Sequence, residues 1–565
     1  MSAMTLEQAV AHVTATNPTF ATTTAEIRGV TYPVFTNAPP HLRAMMQASR
    51  KAHENGTAEY MVFQGERWTF DEFCNETNKV SHVLKQDLKV RPGDRVAIAM
   101  ANCPELAMLV MAISSIGGVV VFLNGWWTSE ELDFALRDTG TRLVFADGAR
   151  MDRLLALDYH TQFQLVGVRD GEGKNSLDYS VLRDRMDDES WPDEDIDPDQ
   201  DFAIMYSSGT SSDPKGVVLT QRGAISAVFS WAMQPALAPL LDPPPADAPP
   251  APRLSIMVAT PLFHVTASHA LFLLSMPAGA KLTLLSKWDA DKAVRLIESE
   301  KITRFVGVPT QCADLIVASQ RLGLGLDSLN YIGSGGAKRP PVQVAELARR
   351  FPKAQIATGW GMTETNACGI GMIGPDYMAR PNGAGRLYPP IQQLRFLDDE
   401  GQEVPIGEIG EITVKSACNM RCYLNKPEET NEVLQDGWLR TGDLGKIDPD
   451  GFVTIVDRKK NIIIRGGENI SCLDVEAALH RHPAIAEACA FALPDDRLGE
   501  VVGAAVQTRP GMRATQAEVL AFLGEHIARF KLPARIWFQT DPLSRAATDK
   551  FDRRAIRRDC LATWN

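Results

Sequence analysis

Strand-like and helix-like segments alternate early in the chain, and this alternation constrains the fold more than any other feature. The pattern predicts a strand over residues 95–100, a buried helix over 105–116 and a second strand over 119–123, and Ser129 opens a further helix. Three consecutive β-branched residues favour the second strand. Strands that alternate with helices at this spacing are typical of parallel β/α units, so the sequence predicts an α/β fold.

The helix and the second strand of this alternation form one uncharged run of eighteen residues, 106–123. That length reaches the lower limit for a helix that crosses a membrane, about 18 residues. Two serines and two glycines interrupt the run, at 114–115 and 117–118. A transmembrane helix is the alternative interpretation, but the interruptions favour a buried helix, a Gly-Gly turn and a buried strand. The sequence therefore predicts no transmembrane segment.

Size, charge and cysteine usage narrow the class of protein. At 565 residues the chain is too long for one hydrophobic core and is expected to form at least two domains. Hydrophobic content of 45% and charged content of 23% are ordinary for a globular enzyme. A net charge of −12 argues against nucleic acid as a partner. Nine scattered cysteines, no C-x-x-C pair and no signal-like N-terminal segment predict a cytoplasmic protein.

The pattern changes near residue 457, which divides the chain into two predicted domains. The large N-terminal domain, 1–457, is expected to hold two β/α sheet units and a small β-rich part over 401–444. The C-terminal domain, 458–565, is expected to be a small α+β domain. Its predicted strands and helices are strands 462–464, 488–493 and 501–506 and helices 473–479 and 517–530.

A loop rich in hydroxyl groups, Y-S-S-G-T-S-S-D-P-K-G-V, occupies residues 206–217 and follows a short apolar strand. Backbone N–H and side-chain O–H groups around Gly209 could close on phosphate oxygens, and Lys215 adds a positive charge. The loop is not an ordinary P-loop, because its lysine follows Pro214 and no hydroxyl residue comes after it. The alternative interpretation is a solvated Ser/Gly turn.

Six further segments follow this loop in a fixed order. They are Gly335-Gly336-Ala337, Gly359-Trp360-Gly361-Met362-Thr363-Glu364, Gly437-Trp438-Leu439-Arg440-Thr441-Gly442-Asp443, Asp457-Arg458-Lys459-Lys460, Arg465-Gly466-Gly467-Glu468-Asn469-Ile470 and Ala547-Thr548-Asp549-Lys550. In this order and spacing they resemble the adenylate-forming superfamily of acyl-CoA synthetases, peptide-synthetase adenylation domains and firefly-type luciferases. The resemblance extends from about Trp68 to Arg554.

The resemblance implies a two-step reaction with ATP, Mg²⁺ and coenzyme A. A carboxylate attacks the α-phosphorus of ATP and releases pyrophosphate, and a thiol then displaces AMP from the acyl-adenylate. Because the first step joins two anions, the site needs positive charge and in-line positioning. The nucleotide-binding residues that the resemblance implies are Ser207, Ser208, Gly209, Thr210, Ser211, Lys215, Gly335, Gly336, Ala337, Gly359, Trp360, Gly361, Met362, Thr363, Asp443 and Arg458.

The resemblance also implies individual roles. Glu364 matches the Mg²⁺-associated carboxylate, a hard oxygen ligand, and Lys550 matches the lysine that bridges the substrate carboxylate and the α-phosphate. Thr363 should bond the α-phosphate, Trp360 should stack on adenine, and Asp443 should accept from the ribose hydroxyls. His264 is placed where the family gates the acyl pocket beside Phe263. Lys460 matches the hinge of a mobile small domain, whose Gly466, Gly467 and Glu468 should then line the coenzyme A tunnel.

Each of these residues has a structural alternative. Glu364 could be a solvated carboxylate at a helix start, Asp443 a turn residue, and His264 a satisfied core histidine. Lys550 could be one solvated charge in a basic tail. Three residues depart from the family pattern: Ser212 replaces a glycine and stiffens the loop slightly, Trp360 replaces a tyrosine, and Asp549 replaces the glycine before the catalytic lysine. Two alternatives stay open for Asp549: its carboxylate partly offsets the charge of Lys550 and slows adenylation, or it points to solvent.

The sequence therefore predicts an acyl-CoA synthetase that acts on a small-molecule hydrophobic acid. A medium- or long-chain fatty acid is the first expectation, because Gly333 and Ser334 leave room in the acyl channel, and an aryl or polycyclic acid is the second. Alternatives are an enzyme that loads a carrier protein or stops at acyl-AMP, a non-catalytic nucleotide- or acyl-binding protein, and a luciferase-like oxygenase. Association into a homodimer stays open.

Overall fold

A computed structural model describes residues 3–207, 214–245, 247, 250–465, 468–495, 497–545 and 550–563 of the chain. Within these ranges the protein forms five β-sheets, with helices packed on the larger ones. The α-helices of five or more residues are Leu6–Thr16, Leu42–Ala52, Phe70–Gln86, Pro104–Ser115, Ser129–Thr139, Gly148–Leu155, Tyr179–Asp184, Gln221–Ala232, Gln234–Leu241, Ala290–Ser299, Pro309–Arg321, Pro341–Arg350, Pro375–Ala379, Pro427–Val433, Cys472–Leu479, Gln516–Gly524 and Arg553–Ala562.

The first large sheet contains the predicted β/α alternation. Its strands, in spatial order, are Cys422–Tyr423, Lys215–Thr220, Asp201–Ser207, Val119–Phe122, Arg95–Ala99, Leu143–Ala146, Gln164–Gly167 and Leu177–Asp178. Arg95–Ala99 and Val119–Phe122 pair in parallel, and the helix Pro104–Ser115 between them is buried along its whole length. The helix, turn and strand predicted from the uncharged run are thus confirmed.

The second large sheet is also mostly parallel and carries the loops of the candidate site. Its strands, in spatial order, are Arg386–Leu387, Ile370–Ile373, Gln355–Trp360, Tyr331–Ser334, Arg304–Gly307, Ser255–Val258, Lys281–Leu284, Glu59–Phe63 and Glu66–Thr69. One face is covered by a core that includes Phe305, Ile332 and Ile356. The carboxyl ends of its parallel strands meet at one edge, where an α/β sheet places its ligands.

Two smaller sheets and a hairpin complete the fold. Thr22–Ile27 pairs with Val30–Phe35 in an N-terminal hairpin. The β-rich part contains Gln392–Leu397, Gly410–Ser416, Leu434–Gln435, Trp438–Ile447 and Val453–Arg458. The C-terminal sheet contains Ile462–Arg465, Glu468–Ser471, Ile485–Asp495, Gly499–Thr508 and Arg535–Gln539. The C-terminal sheet has its own hydrophobic cores, and the division at 457/458 stays a prediction.

The predicted helix 517–530 is wrong at its C-terminal end. The helix begins at Gln516, where Thr515 and Glu518 form a capping box, and ends at Gly524. A separate 3₁₀ turn, Arg529–Lys531, follows. Glycine is the poorest helix former after proline, so an amphipathic pattern that continues past it does not carry the helix further.

One helical run among the described residues, Gln221–Leu241, is long and apolar enough to cross a membrane. Half of the most apolar 18 residues of this run are buried inside the protein, and the run is divided into two helices at Met233. Helix Pro104–Ser115 is apolar but shorter.

Candidate active site

The hydroxyl-rich segment lies between two strands near one edge of the first large sheet. Strands Asp201–Ser207 and Lys215–Thr220 pair antiparallel, with Ser207 opposite Lys215. The predicted phosphate ligands Ser208, Gly209, Thr210 and Ser211, and the departure Ser212, lie outside the described residues. The base of the predicted loop is thus an antiparallel strand pair.

The Lys215 ammonium at this base is ion-paired with the carboxylate of Glu429 and lies 4.8 Å from the centre of the Tyr423 ring. The pairing with Lys215 holds the pKa of Glu429 below its usual value. A phosphate group would compete with Glu429 for this ammonium. Sequence reasoning missed both Glu429 and Tyr423, since neither lies in a motif.

Glu364 lies in the 3₁₀ turn Thr363–Thr365 and is buried. The Tyr423 hydroxyl donates to Glu364 Oε1 at 2.9 Å, and the Glu364 carbonyl accepts from the N–H of Met420 at 2.7 Å. Burial and the neighbouring carboxylate raise the pKa of Tyr423, so its hydroxyl stays a donor. Tyr423 therefore links the Lys215 end of the loop to the Glu364 carboxylate.

The Glu364 carboxylate fits a magnesium ion that arrives bound to the phosphates of the nucleotide. Among the residues that the structure describes, no group of three or more His, Cys, Asp and Glu side chains could hold a metal on its own. Mg²⁺ is commonly bound by one or two carboxylates together with substrate phosphates. One oriented, buried carboxylate at Glu364 fits that mode.

Trp360, Asp443 and Arg458 form a hydrogen-bonded group. The Trp360 indole N–H donates to Asp443 Oδ2 at 2.7 Å, and Arg458 Nε donates to Asp443 Oδ1 at 3.2 Å. Asp443 is buried, so both bonds fix its carboxylate. The indole bond was not foreseen from the sequence, which assigned Trp360 a stacking role alone.

Small residues line the adjacent strand ends. Gly335, Gly336 and Ala337 follow strand Tyr331–Ser334, and Gly336 has a φ of +78°, which favours glycine. Gly359 and Trp360 end strand Gln355–Trp360, and Gly361 and Met362 lead into the turn with Thr363. A side chain on Gly361 would clash with the carbonyl of Ala367. At Gly361 this edge therefore approaches a neighbouring backbone segment too closely for a side chain.

Lys550 reaches this group from the C-terminal part of the chain. A methyl group placed on Gly336 would lie 3.9 Å from Lys550 Cε. Burial, and then the Arg458 charge, lower the pKa of Lys550 to about 8, while Asp443 and Glu364 raise it. Lys550 therefore lies among the predicted nucleotide-binding residues, although its predecessor Asp549 is outside the described residues.

His264 lies in an aromatic cluster beside Lys550. Its ring is 4.7 Å from Phe263 and 6.4 Å from Trp126, and Trp126 also meets Phe263 edge-on at 5.5 Å. Burial, and then the Lys550 charge, lower the pKa of His264 to about 3, so the ring is neutral. Its Nε2 is buried without a hydrogen-bond partner among the described residues. A neutral ring in an aromatic cluster suits the wall of an acyl pocket.

The predicted hinge lies in the 3₁₀ turn Lys459–Asn461, which joins the β-rich part to the C-terminal sheet. Just before it, the buried Asp457 accepts from the Ser471 hydroxyl at 2.8 Å and from the N–H of Leu473 at 3.0 Å. These bonds connect the two sides of the turn at Lys460. Glu468 begins strand Glu468–Ser471, and Gly466 and Gly467 lie outside the described residues.

The lowered pKa of Lys550 predicts a pH dependence. The ammonium is present below about pH 8 and is lost as the pH rises through that value, so adenylation should slow above pH 8. The measurement is kcat/KM for acid-driven ATP–pyrophosphate exchange between pH 6 and 10. Lys550→Arg, whose guanidinium stays charged, should lose this alkaline limb; an unchanged limb would assign it to another group.

Removal of the indole donor should weaken nucleotide binding. Trp360→Phe keeps an aromatic ring but leaves Asp443 Oδ2 without its donor, at a cost of about 1 kcal/mol, or roughly a five-fold rise in KM for ATP. Trp288→Phe is the matched control. The Trp288 indole donates to Asp314 at 2.8 Å, and this pair does not belong to the site. Equal KM values for ATP in the two variants would contradict the positioning role of Trp360.

Known proteins resemble this chain over most of its length. The model of the AMP-binding enzyme family matches residues 48–424, and that of the AMP-binding enzyme C-terminal domain matches residues 474–550. The chain is 30% identical over 523 residues to a long-chain-fatty-acid–CoA ligase of Bacillus subtilis, covering 87% of this chain and 90% of the relative. It is 32% identical over 512 residues to a feruloyl-CoA synthase of an Amycolatopsis species, covering 90% and 97%.

A solved structure of o-succinylbenzoate coenzyme A synthetase from Bacillus subtilis, in complex with ATP and magnesium ion, superposes with a TM-score of 0.77. The two chains are 26% identical, and the alignment covers 91% of this chain and 99% of that one. The large N-terminal and small C-terminal parts therefore form a known two-part architecture.

Proposed function

This chain belongs to the AMP-binding enzyme family, and on that premise we propose how its residues serve an ATP-dependent acyl-CoA synthetase. The activity is that of an AMP-forming acid–thiol ligase that uses ATP, Mg²⁺ and coenzyme A. The observation that carries the assignment of roles is the position of Lys550 beside Gly336, within the electrostatic reach of Asp443, Glu364 and Arg458.

In the first half-reaction, a carboxylate oxygen of the acid bonds to the α-phosphorus of ATP as the bond to the pyrophosphate oxygen breaks. Lys550 offsets the negative charge that both reactants bring to one point, which is the main electrostatic demand of the step. Thr363 bonds the α-phosphate, and Lys215 and the hydroxyl-rich loop hold the outer phosphates. Bound Mg²⁺ neutralises phosphate charge, and Glu364 is the residue that would hold it.

Asp443 accepts from the ribose hydroxyls, with its carboxylate held by Trp360 and Arg458. Gly335, Gly336 and Ala337 let the adenine lie against the backbone. In the second half-reaction the sulfur of the thiol bonds to the acyl carbon and its proton passes to solvent, and AMP leaves with the electron pair of the bond between the acyl carbon and the phosphate oxygen. Lys550 has to withdraw for the thiol to enter, so the C-terminal part rotates at Lys460 and presents Gly466, Gly467 and Glu468 to coenzyme A.

The test is AMP formation from ATP with a panel of carboxylic acids, with and without coenzyme A. Thioester and AMP formed in equal amounts only with coenzyme A would support this function. Pyrophosphate release without a thioester would favour an enzyme that loads a carrier protein. The absence of acid-driven pyrophosphate exchange for every acid would leave only a nucleotide- or acyl-binding protein.

A cytoplasmic location is part of the same proposal. All nine cysteines lie among the described residues, and each is an unpaired thiol, eight of them buried. Free thiols in this number are typical of a reducing compartment. Association into a homodimer stays a prediction, which the molar mass in solution would test.

A further inference from the structure

The second large sheet presents small residues on only one of its faces next to the site. On the other face, Phe305, Ile332 and Ile356 fill the core. Side chains alternate along a strand, so the neighbouring positions Gly333 and Ala357 point the opposite way and are paired in register. An acyl group that is bound at the site and extends along this face of the sheet therefore has to pass over Gly333.

The end of this face nearest the site lies beside Lys550 and the segment that follows His264. A methyl group on Gly335 would lie 3.8 Å from Thr266 Cγ2, so the segment after His264 covers the sheet here. Lys550 Cε lies beside the next residue, Gly336. Between them, these residues form the entrance of a trough that has Gly335 and Gly333 as its floor.

Tyr331 closes the trough. A methyl group on Gly333 would lie 2.7 Å from Tyr331 Cε1 and 3.3 Å from its hydroxyl, so the ring of Tyr331 covers the space above Gly333. Gly335 and Gly333 are two positions apart, which along a strand is roughly 7 Å. Gly333, one of the two small residues predicted to leave room for a long chain, is thus covered by a side chain two positions earlier.

The closed end of the trough is polar. The Arg304 guanidinium lies 4.3 Å from the centre of the Tyr331 ring, and its Nε is buried without a hydrogen-bond partner among the described residues. A side chain on Gly371 would clash with the hydroxyl of Tyr388, so that hydroxyl points over the same face. Burial, and then Tyr331, raise the pKa of Tyr388, while Arg304 lowers it, so these three groups are neighbours.

We propose that Tyr331 ends the acyl pocket and that the substrate is a compact, ring-sized carboxylic acid with a hydrogen-bond acceptor at its far end. The phenol groups of Tyr331 and Tyr388 can donate to that acceptor, and Arg304 adds a positive charge behind them. A plain long alkyl chain would meet the ring of Tyr331 and leave these polar groups without a partner. This inference rests on the proposed function, since it concerns the acid that the same site activates.

The experiment measures CoA-dependent AMP formation with hexanoate, dodecanoate, cinnamate and 4-hydroxycinnamate. For the unaltered protein we expect 4-hydroxycinnamate to exceed cinnamate, and either aryl acid to exceed dodecanoate, by at least about ten-fold in kcat/KM. Tyr331→Ala should raise the ratio of kcat/KM for dodecanoate to kcat/KM for hexanoate by about ten-fold or more. Tyr331→Phe should keep the length preference and lose most of the preference for the hydroxylated acid.

Tyr159→Ala is the matched control, because Arg137 lies 4.0 Å from the Tyr159 ring centre at a place away from the site. Its acid preferences should equal those of the unaltered protein. A preference of the unaltered protein for dodecanoate, or an unchanged chain-length ratio in a folded Tyr331→Ala, would overturn this inference and leave the synthetase function intact. Absence of AMP formation with every acid would instead count against the proposed function.

Discussion

Lys550→Ala is expected to slow acyl-adenylate formation by about 10²–10³-fold, the usual effect of removing one group that stabilises transition-state charge. The reason is the place of Lys550, beside Gly336 and among Asp443, Glu364 and Arg458. On the proposed function, the second half-reaction uses a different arrangement, from which this ammonium has withdrawn. Thioester formation from pre-made acyl-adenylate should therefore keep roughly the unaltered rate, and the two half-reactions are measured separately by pyrophosphate exchange and by thioester yield.

A control separates this role from a general effect of charge. Arg558 lies on the last helix, is largely exposed and pairs with Asp559 at 3.0 Å, so Arg558→Ala removes a cation of the same basic tail that is not a predicted site residue. Both half-reactions should be unaffected in that variant. Equal losses in the two half-reactions of Lys550→Ala would show that the residue supports folding and not the first step.

Lys460→Pro is expected to lower thioester formation by about 10²-fold or more while acyl-adenylate formation falls much less. Proline fixes φ near −65°, and a domain rotation has to be absorbed by a few backbone dihedrals at the hinge. Lys460 lies in the 3₁₀ turn Lys459–Asn461, the short link before the C-terminal sheet. The half-reactions are again measured separately, with thioester formation started from acyl-adenylate and coenzyme A.

Lys460→Ala is the matched variant, since it removes the same side chain and leaves the backbone free. It should retain both half-reactions at near-normal rates. If alanine and proline impair thioester formation equally, the side chain and not the backbone turn matters. If neither does, the hinge lies elsewhere.

Elements with a strong local signal could be predicted from the sequence. Strands Arg95–Ala99 and Val119–Phe122 and the helix between them follow from apolar runs, β-branched residues and turn residues that all agree. The end of the helix at Gly524 shows the limit, because the apolar pattern continues although the helix does not. Periodicity reports which residues face a core more reliably than where an element stops.

The candidate site could be predicted only where it consists of motifs. Tyr423 belongs to a strand of two residues, which is too short for a periodic signal, yet it donates to Glu364. The Trp360–Asp443 bond joins residues 83 positions apart. Gly333 is small in the sequence, but only the fold shows that the Tyr331 ring occupies the space above it. These contacts depend on side-chain directions that tertiary packing decides.

The Asp457 carboxylate holds the two sides of the link at residues 459–461 together by hydrogen bonds. It is fully buried and holds Ser471 and Leu473 from across the link, and a buried carboxylate that loses its partners is costly. The rotation proposed above would have to break these bonds first, so it would meet an energetic barrier and favour two discrete arrangements over a continuum.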